Sequence, residues 1–141
     1  MENRLATFVA SGALLLAVGS QARAQAADDP DPCAFAVGRG EIAACWAREA
    51  ARADARLRSA YAAALTRLPS RGMAGLKRAQ KAWLEFRDAE VAALSALADP
   101  KGGYDWERSI CAAIARRQLN LERARALERL AERTAGDACP L

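Results

Sequence analysis

A chain of 141 residues has one-domain length, and with 52% hydrophobic but only 6% aromatic residues its core must be built from small and aliphatic side chains. Alanine, leucine and arginine dominate while β-branched residues are sparse, which favours helices and weighs against a sheet. A formal charge of +4 excludes a polyelectrolyte, and the absence of histidine removes the side chain best suited to acid–base work at neutral pH.

The N-terminal segment reads as a secretory signal peptide over residues 1–26. Arg4 gives a positive start, Leu5 to Val18 is apolar, and Ala22-Arg23-Ala24 and Ala24-Gln25-Ala26 are both A-x-A cleavage sites. The apolar run is too short for a comfortable membrane span. The protein is therefore expected in the periplasm or outside the cell, with a mature part that stays mildly basic.

Residues 27–40 form a polar lead-in containing Pro30, Pro32, Gly38 and Gly40, expected to be irregular. A first helix is expected over 41–68, where Ile42, Cys45, Trp46, Glu49, Ala53, Leu57, Tyr61, Ala64, Leu65 and Leu68 recur at steps of three and four. Pro69-Ser70-Arg71-Gly72 should stop it. A second helix is expected over 73–98, with Leu76, Ala79, Trp83, Phe86, Ala89 or Glu90, Ala93 and Leu97 facing inward. Asp99 to Gly103 ends it with turn chemistry. A third should run from an N-cap at Asp105 to about Thr134, lined by Trp106, Ile110, Ile114, Leu121, Ala124 or Leu127, and Leu130.

Short connections make neighbouring helices antiparallel. The expected fold is all-α, an up-down-up three-helix bundle over 41–134 followed by a C-terminal tail, 135–141. A helical hairpin that dimerises is the alternative, so the oligomeric state stays open.

Four cysteines in an exported small protein read as disulfides, since no closely spaced Cys pair or histidine supports zinc. Antiparallel packing puts Cys45 and Cys111 at one end of the bundle, which makes them the expected pair. Cys33 with Cys139 follows by elimination. Four cysteines allow three connectivities.

The motifs resemble the lysozyme-inhibitor LprI-like domain family. Cys33 with Glu41-Ile42-Ala43-Ala44-Cys45 is similar to its opening Cys and E-M-x-x-C. Asp54-Ala55-Arg56-Leu57 with Tyr61 is similar to D-x-x-L-N-x-x-Y. Leu76, Ala79-Gln80-Lys81-Ala82-Trp83 and Phe86-Arg87-Asp88-Ala89-Glu90 resemble L-x-x-A-Q-x-A-W-x-x-[FY]-R-D-A-E. Gly102-Gly103 and Cys111 resemble its G-G loop and final Cys. Val91 stands where the family usually carries a cysteine, and Arg58 where it carries Asn. The resemblance covers about residues 33–127 and implies an exported helical module, with lysozyme or another envelope protein as partner.

Three groups of residues are candidates for a role. Asp54, Gln80, Trp83, Arg87 and Asp88 form a polar cluster. Gln80, Trp83 and Arg87 share one face of the second helix, and Asp54 is the expected carboxylate for Arg87, so the cluster fixes helix register. Asp99, Lys101, Tyr104 and Asp105 form a candidate binding tip beside two glycines. Arg48, Arg52 and Arg56 recur every four residues as a basic stripe. The stripe carries a second reading, a structural or envelope-associated protein touching anionic surfaces or a protein partner. Arginines of the third helix alternate with Glu122, Glu128 and Glu132 and should neutralise one another at i,i+3.

Catalysis is not expected. Glu85, Asp88 and Glu90 would need a cleft, which a long bundle does not obviously offer, and no serine sits in a nucleophile elbow. No cofactor or metal is implied. Export and the lack of an aromatic ladder argue against nucleic acid.

Overall fold

A computed structural model of the chain describes residues 31–98 and 105–133, all within the compact unit Asp31–Leu141. The signal segment, Asp99, Lys101, Tyr104 and Cys139 lie outside the described residues. The described residues form three helices: α1 (Arg39–Arg67), α2 (Ser70–Leu97) and α3 (Asp105–Ala131). They form an up-down-up bundle, and among the described residues there is no strand.

The first helix starts earlier than its periodicity indicates. Gly38, at φ 83°, turns the chain into α1 in a conformation that L side chains rarely adopt. Its carbonyl accepts the Ile42 N–H at 3.1 Å, and Glu41 reaches back to accept the Val37 N–H at 3.0 Å.

The connection between α1 and α2 is shorter than Pro69 to Gly72. Leu68 is extended, as the residue before a proline tends to be, and Pro69 already has φ −65°, suited to a helix start. Ser70, Arg71 and Gly72 therefore belong to α2. Gly72 lies close to Leu68, and a Cβ there would sit 3.3 Å from its side chain, so that Leu68 would have to shift slightly.

Packing is uneven around the bundle. The buried face of α1 is Ala50, Ala53, Leu57, Ala60 and Ala64, and that of α3 includes Ala115, Ala124 and Leu127. Alanine against alanine lets these two helices approach closely, since interaxial distance follows side-chain size. The core cluster is Leu57, Ala60, Ala64, Leu76, Ala124 and Leu127, with Tyr61, Leu65, Leu68, Trp83 and Leu130 packed against it. It sits where α1 ends and α2 begins.

The inner face of α2 differs from the expected one. Leu76, Gln80, Arg87, Val91 and Ser95 are buried, whereas Ala79, Phe86, Ala93 and Leu97 are exposed. Phe86 is 53% exposed and Leu97 76%. The helix turns a partly polar stripe inward because Gln80 and Arg87 find partners on α3, and its more apolar stripe is left outside.

The disulfide pairing also differs. Cys33 is bonded to Cys45, with the two Cα atoms 5.9 Å apart, and Cys111 is a free, half-buried thiol. The expected Cys45–Cys111 bond is therefore absent, and Cys33 is not available to Cys139. The reason is local. The turn through residues 32–38 folds the lead-in back against the first turns of α1, so Cys33 reaches Cys45 before any helix-to-helix pair can.

Candidate functional site

Arg87 is the centre of the polar cluster. Its side chain is about nine-tenths buried, and an interior guanidinium needs acceptors. Asp88, the next residue, accepts from Nε at 2.9 Å and from Nη2 at 2.8 Å through one oxygen. Asn120 of α3 accepts from Nη1 at 3.2 Å. Asp54, the expected partner, lies 3.7 Å away and is joined to the cluster through the Asn120 amide, which donates to it at 3.4 Å.

Asn120 was not among the sequence candidates, yet it is fully buried and ties α1, α2 and α3 together. The signal for it was present. It lies four residues before Ala124 and five after Ala115, a polar side chain in the apolar phase of α3.

Trp83 and Gln80 extend the cluster. The guanidinium of Arg87 lies 5.6 Å from the Trp83 ring centre and that of Arg123 lies 5.8 Å from it. Arg123 donates to Gln80 Oε1 at 3.1 Å, and burial pulls its pKa down. Arg116 reaches Asp88 at 3.5 Å. The five predicted residues are thus brought into one region, with α3 supplying the groups that join them.

A cleft of about 280 Å³ opens between α1 and α2 beside this cluster. Leu57, Tyr61 and Leu84 give it an apolar lining, while Asp54, Arg58, Gln80 and Arg87 bring polar groups to it. The expectation of a bundle without a cleft is corrected here. The alanine contact draws α1 to α3, and the larger side chains of α2 hold it off α1. Asp54 is also ion-paired with Arg58, so the carboxylate is engaged from two sides. Asp54 is the carboxylate among the residues that line this cleft.

The second distinctive region is the turn held by the disulfide. Phe35 is 96% exposed and Val37 80%, the most exposed large apolar side chains among the described residues. Their backbone is nonetheless well fixed. Ala34 N–H donates to the Asp31 carbonyl at 3.2 Å, Ala36 N–H to the Cys33 carbonyl at 3.0 Å, and Cys33 N–H to Asp31 Oδ1 at 2.8 Å. Below the turn, Arg39 stacks over the Trp106 ring at 4.8 Å and ties the start of α1 to the start of α3. The turn thus holds an aromatic ring in water on a hydrogen-bonded, disulfide-linked backbone. Asp31 and Glu41 place carboxylates at its base.

A family model described as Lysozyme inhibitor LprI matches residues 33–127. The chain belongs to the LprI lysozyme-inhibitor family. No curated protein and no solved structure gives a significant match. The family match starts at Cys33 of the pinned turn and ends at Leu127 of the core, so it spans both regions described above.

The remaining candidates of this LprI-family chain are less concentrated. Arg52 pairs with Glu49, and Arg56 makes a bidentate pair with Glu128 at 2.7 and 2.8 Å, whereas the exposed Arg48 makes no ion pair among the described residues. The bidentate contact raises the Arg56 pKa and lowers that of Glu128. Glu128 thus serves α1 rather than only its own helix. Asp105 is the first residue of α3 and pairs with Arg108. Among the described residues no cluster of three His, Cys, Asp or Glu could hold a metal, and no helix is long and apolar enough to cross a membrane.

Proposed function

We propose that this chain is an exported binding module of lysozyme-inhibitor type that engages its protein partner through the disulfide-pinned turn, with Phe35 and Val37 as the anchoring side chains. The observation that carries the reading is the exposure of Phe35, 96%, on a backbone fixed by the Cys33–Cys45 bond. Exposing a phenylalanine to water is unfavourable, and ordering the turn in advance reduces the entropy lost on docking. The family description names lysozyme as the target, which makes lysozyme the first partner for this chain.

Charge bears on the choice of partner. The chain carries a net +4, and common lysozymes are basic, so long-range steering opposes the encounter. Affinity must then come from short-range burial of apolar side chains, with Asp31 and Glu41 supplying local negative charge. The export reading of the N-terminal segment and the disulfide both suit a protein that works outside the cytoplasm.

The test is lysis of a cell-wall suspension by lysozyme in the presence of the purified oxidised protein. The reading expects lysis to slow in proportion to added protein. Unchanged lysis at a large molar excess would remove lysozyme as the target.

A further inference from the structure

We propose that the outer face of α2 is a self-association surface, on which a second copy of this chain docks its own α2 in antiparallel orientation. The proposal is independent of the turn at Phe35 and of the identity of any other partner.

The face has the spacing of a helix-packing seam. Ala79, Ala82, Phe86, Ala89, Ala93 and Ala96 follow one another at alternating steps of three and four residues, and all are exposed. The buried stripe of the same helix, Leu76, Gln80, Arg87, Val91 and Ser95, has a different phase, so the two faces do not compete. Five alanines permit close approach of a facing helix, and Phe86 provides one large knob, 53% exposed.

Charge decides what covers the face. Apart from the buried Arg87, every basic residue of α2, Arg71, Lys77, Arg78 and Lys81, precedes every acidic one, Glu85, Asp88 and Glu90. Arg78 and Glu85 lie two helical turns apart on one flank of the seam. A twofold axis beside Ala82 sets Arg78 of each copy against Glu85 of the other. Parallel docking would instead oppose like charges, which is unfavourable. Antiparallel docking also aligns the helix dipoles favourably. Arg78 and Glu85 are exposed and make no ion pair among the described residues, so they are available for this contact.

Sedimentation equilibrium of the oxidised protein tests the proposal. The expected result is a monomer–dimer equilibrium that weakens as salt is raised, because the flanking charges are screened. Phe86→Glu should lower the association constant by roughly tenfold or more while the melting temperature holds, as expected for a central anchor outside the monomer's core. Arg78→Glu and Glu85→Arg should each dissociate the dimer, and an equal mixture of the two variants should re-form it as a heterodimer. A monomer at every concentration reached, a dimer indifferent to Phe86→Glu, or a mixture that stays monomeric would each overturn it.

Discussion

Arg87 Nη1 lies 3.2 Å from Oδ1 of Asn120, and this contact joins α2 to α3 in the interior of the bundle. The Asn120 amide continues to Asp54, so a single uncharged side chain bridges a cation and an anion on two other helices. Arg87→Ala should destabilise the domain by about 3 kcal/mol, because it strips the donor from a fully buried amide and leaves Asp88 and Asp54 without their shared cation. Asn120→Ala should cost about 2 kcal/mol by leaving an interior N–H of Arg87 unsatisfied. Urea unfolding of both variants checks this, and wild-type midpoints would show that the cluster holds nothing together.

The sequence revealed the three helices because their 3.6-residue periodicity is interrupted only at Pro69 and near Pro100. It also placed Gln80, Trp83 and Arg87 on one face of α2, with Asp54 of α1 as the expected carboxylate. The inner face of α2 differs from the expected one at Ala79, Phe86, Ala93 and Leu97, and the cause is specific. Hydrophobicity pointed to Phe86 and Leu97, whereas the helix rotated to satisfy Gln80 and Arg87 against α3. Asn120 was overlooked because a lone polar residue in an Arg- and Glu-rich helix resembles surface. The Cys33–Cys45 bond was hidden by the assumption that cysteines link helices, while the turn at Gly38 makes the local bond possible.

That local bond gives a second prediction. Peptide mapping of the oxidised protein should recover Cys33 linked to Cys45, with Cys111 open to maleimide. Removing the bond by Cys33→Ala with Cys45→Ala should cost about 3 kcal/mol, the chain-entropy value for a loop near this length. A Cys45–Cys111 peptide in the map would contradict the structure at this point.

The Arg56–Glu128 pair makes stability depend on pH. Arg56 holds the Glu128 carboxyl below its ordinary range, chiefly by hydrogen bonding. A carboxylate with a depressed folded pKa contributes stability above its unfolded value, about 4.3, and loses it as pH falls through the folded value. The side chains are 47% and 34% exposed, so solvent screening limits the contribution to about 0.5 kcal/mol. Glu128→Gln should therefore unfold more easily than wild type at neutral pH, with the gap closing in strong acid. A gap that persists unchanged in strong acid would show that the carboxylate charge is not its source.

Titrating lysozyme inhibition by the oxidised protein against that by a Phe35→Ser, Val37→Ser variant probes the proposed mode of action at its source. Loss of two anchor side chains from the pinned turn should weaken inhibition by roughly thirtyfold or more, with the melting temperature unchanged because neither side chain is in the core. Equal potency of the two proteins would contradict the account and move the contact to another part of the bundle.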